Sequence, residues 1–112
     1  MLCIVSRGMK AETLKGHLDS LVLATLSEGP AHGYAVIERL KERSHGAFDL
    51  AEGTVYPVLH RLEAEGLLAS SWSEASGRRR RVYRLTRRGR SALTGRRREW
   101  RAFAAAVEAV LG

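Results

Sequence analysis

A chain of 112 residues, 45% of them hydrophobic, is sized for one domain with a modest core and leaves little length for a second. Its only cysteine, Cys3, excludes an intramolecular disulfide framework and a cysteine-based zinc cluster, and it points to a reducing, cytoplasmic setting. The formal charge of +7 is a patch rather than a general property: residues 76–101 carry 12 arginines and sum to +11, against −3 for residues 1–75 and −1 for 102–112. Such a patch is the electrostatic footprint of a polyanionic partner. Arginine outnumbers lysine 16 to 3, which suits phosphate contact through the planar guanidinium, although biased coding composition gives the same ratio.

The first eight residues have four apolar side chains after Met1 and no basic region before them, so they read as neither a secretory leader nor a membrane span. Residues 1–10 are expected to form a flexible N-terminal extension, with Met9 an alternative start. From Ala11 to Ser27, Leu14, Leu18, Leu21, Val22 and Leu26 recur at helical spacing, and Gly29-Pro30 ends this first helix. A second helix is expected over Tyr34 to Arg43, with Tyr34, Ile37 and Leu40 inward, stopped by Ser44-His45-Gly46. Phe48 and Leu50 in the following connection should tuck under the next helix.

That third helix, within residues 51–66, is the centre of the chain. Val55, Val58, Leu59 and Leu62 form a stripe that must face a core, and Gly53, Pro57, His60 and Ala64 then point away from it, with Thr54, Tyr56 and Arg61 on the shoulders. Small residues keep that face flat, while Thr54, Tyr56, His60 and Arg61 can reach phosphates or base edges. An ordinary amphipathic surface helix is the alternative. Its start is open between Thr54 as N-cap, which puts Pro57 safely at the third helical position, and a start near Ala51, which puts Pro57 at the fifth or sixth and predicts a kink.

Leu67 to Glu74 and Arg79 to Leu85 read as strands of a hairpin joined across Ala75-Ser76-Gly77, with Arg78, Arg79, Arg80 and Arg81 at its tip, too concentrated to be buried. Trp72 is expected to cover the base of this wing. Thr86 is a good N-cap for a last helix, about Arg87 to Leu111. Its apolar side, with Leu93, Trp100, Phe103, Ala104, Val107 and Leu111, runs about 37 Å, more than a small three-helix core can cover, so a second copy of the chain is the expected cover.

Three helices, a hairpin and a long terminal helix define a mainly α fold with a small β-hairpin: a winged helix-turn-helix over residues 11–86 and a C-terminal dimerisation helix over 87–112. The pieces Leu14-Lys15-Gly16-His17, Gly29-Pro30-Ala31-His32-Gly33-Tyr34, Glu52-Gly53-Thr54-Val55-Tyr56-Pro57, Leu62-Glu63-Ala64-Glu65-Gly66-Leu67, Gly77 with Arg78 to Arg81, and Tyr83-Arg84-Leu85-Thr86 with Gly89, in this order and spacing, resemble the PadR family of bacterial transcriptional regulators in its small single-domain form. The resemblance implies a homodimeric repressor of a pseudo-palindromic operator in double-stranded DNA. Its third helix would enter the major groove through Thr54, Tyr56, Pro57, His60 and Arg61, and its wing would touch flanking backbone through Arg78, Arg79, Arg80 and Arg81. Its terminal helices would pair through Leu93, Trp100, Phe103, Val107 and Leu111. Glu99-Trp100 also resembles a family position that lines a dimer-interface cavity for flat hydrophobic effectors, for which plain dimer packing is the alternative.

The four histidines, 17, 32, 45 and 60, stand 13 to 15 residues apart and form no pair at metal-gripping helical spacing. His17 and His32, near helix ends, suggest structural hydrogen bonding. Catalytic motifs and phosphate-cradling glycine loops are absent, so no enzyme activity, metal or cofactor is expected, nor a membrane partner. Two other functions fit a winged helix, a protein-interaction module and an RNA-binding module; the local +11 disfavours the first.

Overall fold

Val55, Val58, Leu59 and Leu62, the stripe expected of the third helix, are all buried in the computed structural model, which describes Leu14 and residues 16–112. The expected extension over residues 1–10 and most of the start of the first helix lie outside the described residues. The chain then runs through α1 (Leu18–Leu26), β1 (Ala31–His32), α2 (Gly33–Arg43), α3 (Glu52–Ala64), β2 (Leu68–Ser73), a 3-10 turn (Ala75–Gly77), β3 (Arg80–Leu85) and α4 (Arg87–Leu111).

The first helix is not continuous from Ala11. Gly16 takes φ +87°, outside the right-handed helical region, and α1 begins at Leu18, after His17. The end of α1 and the turn after it are held from α2, where Arg39 Nη1 donates to Thr25 O and Gly29 O, both at 2.9 Å. α2 starts one residue earlier than expected because His32 caps it, Nδ1 accepting the Ala35 N–H at 3.3 Å. Its buried face is Gly33, Val36, Ile37 and Leu40. The inward position expected of Tyr34 does not hold: it lies more than a quarter turn from the middle of that stripe at 100° per residue and is 54% exposed.

α3 takes the earlier of its two possible starts. The Ala51 carbonyl accepts from Thr54 N–H at 3.0 Å and Val55 N–H at 3.1 Å, so Pro57 stands sixth in the helix. The carbonyl that loses its helical partner belongs to Gly53, an exposed residue. Two helices end in the same motif: Gly46 N–H donates to Lys41 O at 2.8 Å after α2, and Leu67 N–H to Leu62 O at 3.0 Å after α3. Gly66 supplies the left-handed residue in the second, and His45, at φ 54°, in the first.

The expected hairpin is present, and β1 adds a third strand on its other edge, giving the antiparallel order β1-β3-β2 with Ala31 opposite Tyr83 and His32 opposite Val82. Two residues carry no alternation from which a strand could be read. The core is formed where α1, α2 and α3 meet the inner face of this sheet: Leu23, Leu26, Val36, Leu59, Leu62, Leu68 and Leu85 are buried together, and Phe48 and Leu50 pack against them as expected. Truncating Leu59 or Leu62 to alanine should cost about 2–5 kcal/mol. α4 spans the expected residues, with Thr86 Oγ1 accepting the Gly89 N–H at 3.0 Å.

Candidate nucleic-acid interface

Burial of the apolar stripe leaves Gly53, Pro57, His60, Arg61 and Ala64 of α3 exposed, with Thr54 and Tyr56 half-buried beside them. Tyr56 is positioned by a glycine: a Cβ at Gly33 would meet its Cε1 at 2.6 Å, so the phenol ring lies against the first turn of α2. From there it meets the edge of His60, centroids 6.4 Å apart. Arg61 has a structural occupation that the helical wheel does not reveal. Its guanidinium grips Asp19 of α1 with two bonds, 2.8 and 2.7 Å, tying the outer face of α3 to the first helix. Those bonds hold the Asp19 carboxyl below the usual carboxylate range, with partial burial opposing them.

The four wing arginines divide by strand alternation. Trp72 stands opposite Arg81, Ser70 opposite Tyr83 and Leu68 opposite Leu85, so one face of the hairpin runs from the core out to Trp72 and Arg81. Trp72 therefore does not cover the base of the wing, as expected of it. It is 54% exposed near the wing's outer end, because that face outruns the core, and the guanidinium carbons of Arg79 and Arg81 lie 4.4 and 5.3 Å from the centre of its ring. Glu63 of α3 fixes the wing to the helix, accepting from Ser70 Oγ at 2.6 Å and pairing with Arg81 at 3.6 Å. Arg80 turns to β1, where its Nη1 lies 2.7 Å from His32 Nε2. Burial, then the charges of Arg80 and Arg39, push the His32 ring below its usual pKa. Arg78 is exposed.

Helix and wing thus enclose a groove of about 560 Å³, lined by Tyr34, Tyr56, His60, Trp72 and all four wing arginines. Thr54, Pro57 and Arg61 lie outside that lining. Glu63, Trp72 and His32 join the site beyond the residues expected there, because their roles depend on cross-strand and interhelix neighbours rather than on periodicity.

Of the residues expected at a dimer interface, Leu93 is corrected: it is buried in the chain's own core, since the first half of α4 lies against its own domain. Trp100, Phe103 and Leu111 are exposed, Val107 is half-buried, and Val110 adds to the apolar surface at 85% exposed. Trp100 packs its ring against the edge of His17 at 5.5 Å and beside Phe103 at 5.9 Å, so His17, whose side chain caps no helix, serves as a neighbour of the indole. Among the described residues no group of three or more His, Cys, Asp or Glu side chains is disposed to hold a metal ion, and no helix is long and apolar enough to cross a membrane.

Residues 22–95 match the model of the transcriptional regulator PadR-like family. Transcriptional regulator Rv3488 of Mycobacterium tuberculosis is 46% identical over 77 residues, covering 69% of each chain. Among solved structures, a PadR family transcription regulator from Clostridium difficile matches with a TM-score of 0.76 at 34% identity, over 87% of this chain and 100% of that one. Another, from Eggerthella lenta, matches with a TM-score of 0.78 at 35% identity, over 90% of this chain and 87% of that one. The matched segment contains helices α2 and α3, the wing and the root of α4, and the chain belongs to the PadR-like family of transcriptional regulators, whose winged-helix architecture it shares.

Proposed function

We propose that this regulator is a cytoplasmic, homodimeric repressor that binds a pseudo-palindromic site in double-stranded DNA. The observation that carries this reading is the groove in which the outward side of α3 and four wing arginines face one another. A flat helix surface with Tyr56 and His60 suits base edges, and the arginines suit the flanking phosphates. Residues 11–86 then act as the DNA-binding unit and 87–112 as the dimerisation helix. Exposed Trp100, Phe103, Val110 and Leu111 supply the surface that a second copy would cover. Trp100, beside the two-fold axis of such a dimer, is the proposed contact for a small, flat hydrophobic effector that releases the DNA.

Selection of bound sequences from a random duplex pool tests the reading. The expected product is a symmetric site whose half-sites lie about one helical turn or a multiple apart. Enrichment of no duplex, or preference for structured RNA in direct competition, would overturn it.

A further inference from the structure

The hairpin places one large aromatic ring where two cations need a support. Trp72 and Arg81 are direct cross-strand partners, and Arg79, one residue before β3 begins, reaches the same ring. Both guanidinium carbons lie within cation–π range of the indole, Arg79 the closer at 4.4 Å. The two differ in their other partners. Arg81 shares its charge with Glu63 at 3.6 Å, whereas Arg79 forms no ion pair among the described residues. A carboxylate beside Arg79 would also restrain it, but it would cancel the charge that a phosphate has to see. An aromatic face restrains a guanidinium and leaves its net charge and its N–H donors available.

We propose that Trp72 is the positioning residue of the wing: its ring holds Arg79 over the groove facing Tyr56 and His60, so that the arginine meets a DNA phosphate already ordered. This rests on the proposed DNA-binding function and adds a division of labour to it. Arg79 supplies the charge, and Trp72 removes part of the entropy cost of immobilising a long side chain on binding.

The test uses the full chain and a duplex of about 30 base pairs, long enough for two half-sites. Affinity is measured across salt from about 50 to 200 mM for the wild type, Trp72→Leu, Trp72→Phe, Arg79→Ala and the double variant that combines Trp72→Leu with Arg79→Ala. Trp72→Leu should weaken binding about two- to five-fold, the worth of an exposed cation–π contact. Its salt slope should equal that of the wild type, because no charge has been removed. Arg79→Ala should flatten the slope by about one unit. Trp72→Phe should fall between the wild type and Trp72→Leu, and in the double variant the leucine should add nothing to the loss caused by alanine. Independently of DNA, the Arg79 side-chain proton resonances should carry a ring-current shift that Trp72→Leu abolishes. Wild-type affinity in Trp72→Leu, or losses that add in full, would overturn the assignment while leaving DNA binding intact. A wild-type chain that binds no duplex would overturn the functional reading and this assignment with it.

Discussion

Thr86 Oγ1 donates to the carbonyl of Gly66 at 2.7 Å, and this bond joins the start of α4 to the end of α3. The Thr86 N–H adds a second tie, to Leu67 O at 3.1 Å. Gly89 then passes so close that a Cβ there would lie 2.1 Å from Leu67 O. The joint fixes the angle between α4 and α3, and in the proposed two-fold dimer that angle would set the spacing of the two copies of α3.

Gly89→Ala should therefore be severe, because the obstructing atom belongs to the backbone and cannot rotate away. A loss of about 3 kcal/mol or more is expected, at the upper end for overpacking. Thr86→Ala should cost about 1–2 kcal/mol through the lost cap and the bond to Gly66. Urea unfolding reads both, and a wild-type midpoint for Gly89→Ala would contradict the crossing described.

The Asp19–Arg61 pair makes a pH-dependent prediction. Asp19 titrates below its ordinary value of 3.8 in the folded chain, chiefly because Arg61 donates to it, so the unfolded chain binds the proton more readily. The pair's stabilisation is present above about pH 4 and is lost as pH falls through the depressed folded value. Arg61 is about half exposed, which limits the pair to roughly 0.5–1 kcal/mol. Asp19→Asn should lower stability by that amount at neutral pH and converge on the wild type in strong acid. In a double-variant cycle the losses from Asp19→Asn and Arg61→Ala should be less than additive, with the small remainder belonging to the Arg61–Glu65 pair at 3.7 Å.

These relationships mark the boundary of what the sequence makes legible. A 3.6-residue period locates the buried side of α3, the Thr86 signal places the start of α4, and Gly66 marks where α3 ends, since each depends on residues a few positions apart. Asp19 and Arg61 are 42 residues apart, and Trp72 meets its arginines only through strand register, so neither relation is written in a local pattern. Leu93 and Trp100 share one helical face and have different surroundings, the first inside its own domain and the second exposed. Periodicity shows that a face is apolar without showing which molecule covers it. Gly16 departs from expectation because a left-handed φ interrupts the helix while leaving hydrophobic spacing nearly unchanged, and Tyr34 because the buried side of α2 runs from Ile37 through Gly33 and Leu40 to Val36, on the flank away from it.

His32 should make the fold sensitive to mild acid. Its Nδ1 accepts the Ala35 N–H as the cap of α2 and its Nε2 lies 2.7 Å from Arg80; the neutral ring has one lone pair, and protonation removes it while setting a second positive charge beside the guanidinium. Folding depresses its pKa, so its contribution is complete above the ordinary value of 6.5 and is lost as pH falls through the lower folded value. Unfolding midpoints should decline from about pH 6.5 downward. Asparagine also caps helices but does not titrate in this range, so His32→Asn should flatten that decline. An unchanged pH profile in His32→Asn would assign the effect to other groups.

On the proposed function, the two halves of the groove between α3 and the wing should fail differently. Replacing Arg79 and Arg80 with alanine should weaken binding to every duplex and reduce the salt slope by roughly one unit per lost phosphate contact. Tyr56→Ala and His60→Ala should instead narrow the ratio of specific to nonspecific affinity. Equal losses on all sequences for the helix variants would reassign Tyr56 and His60 to the backbone.

The terminal helix carries the remaining prediction. Trp100, Phe103, Val107, Val110 and Leu111 lie beyond the point where Leu93 is covered by its own domain, so removal of residues 96–112 should leave the winged domain folded and monomeric by light scattering. If two Trp100 rings flank a slot at the two-fold axis, a planar aromatic compound should quench their fluorescence, with Trp72→Phe as background so that Trp100 alone reports. By linkage, the compound must weaken DNA binding by the same factor as DNA weakens the compound. Trp100→Ala should then abolish the ligand response and leave operator affinity largely intact. The competing outcome is clear-cut: truncating a tryptophan buried between two copies costs about 3–5 kcal/mol, so if Trp100→Ala dissociates the dimer instead, the indole is packing and the effector site lies elsewhere.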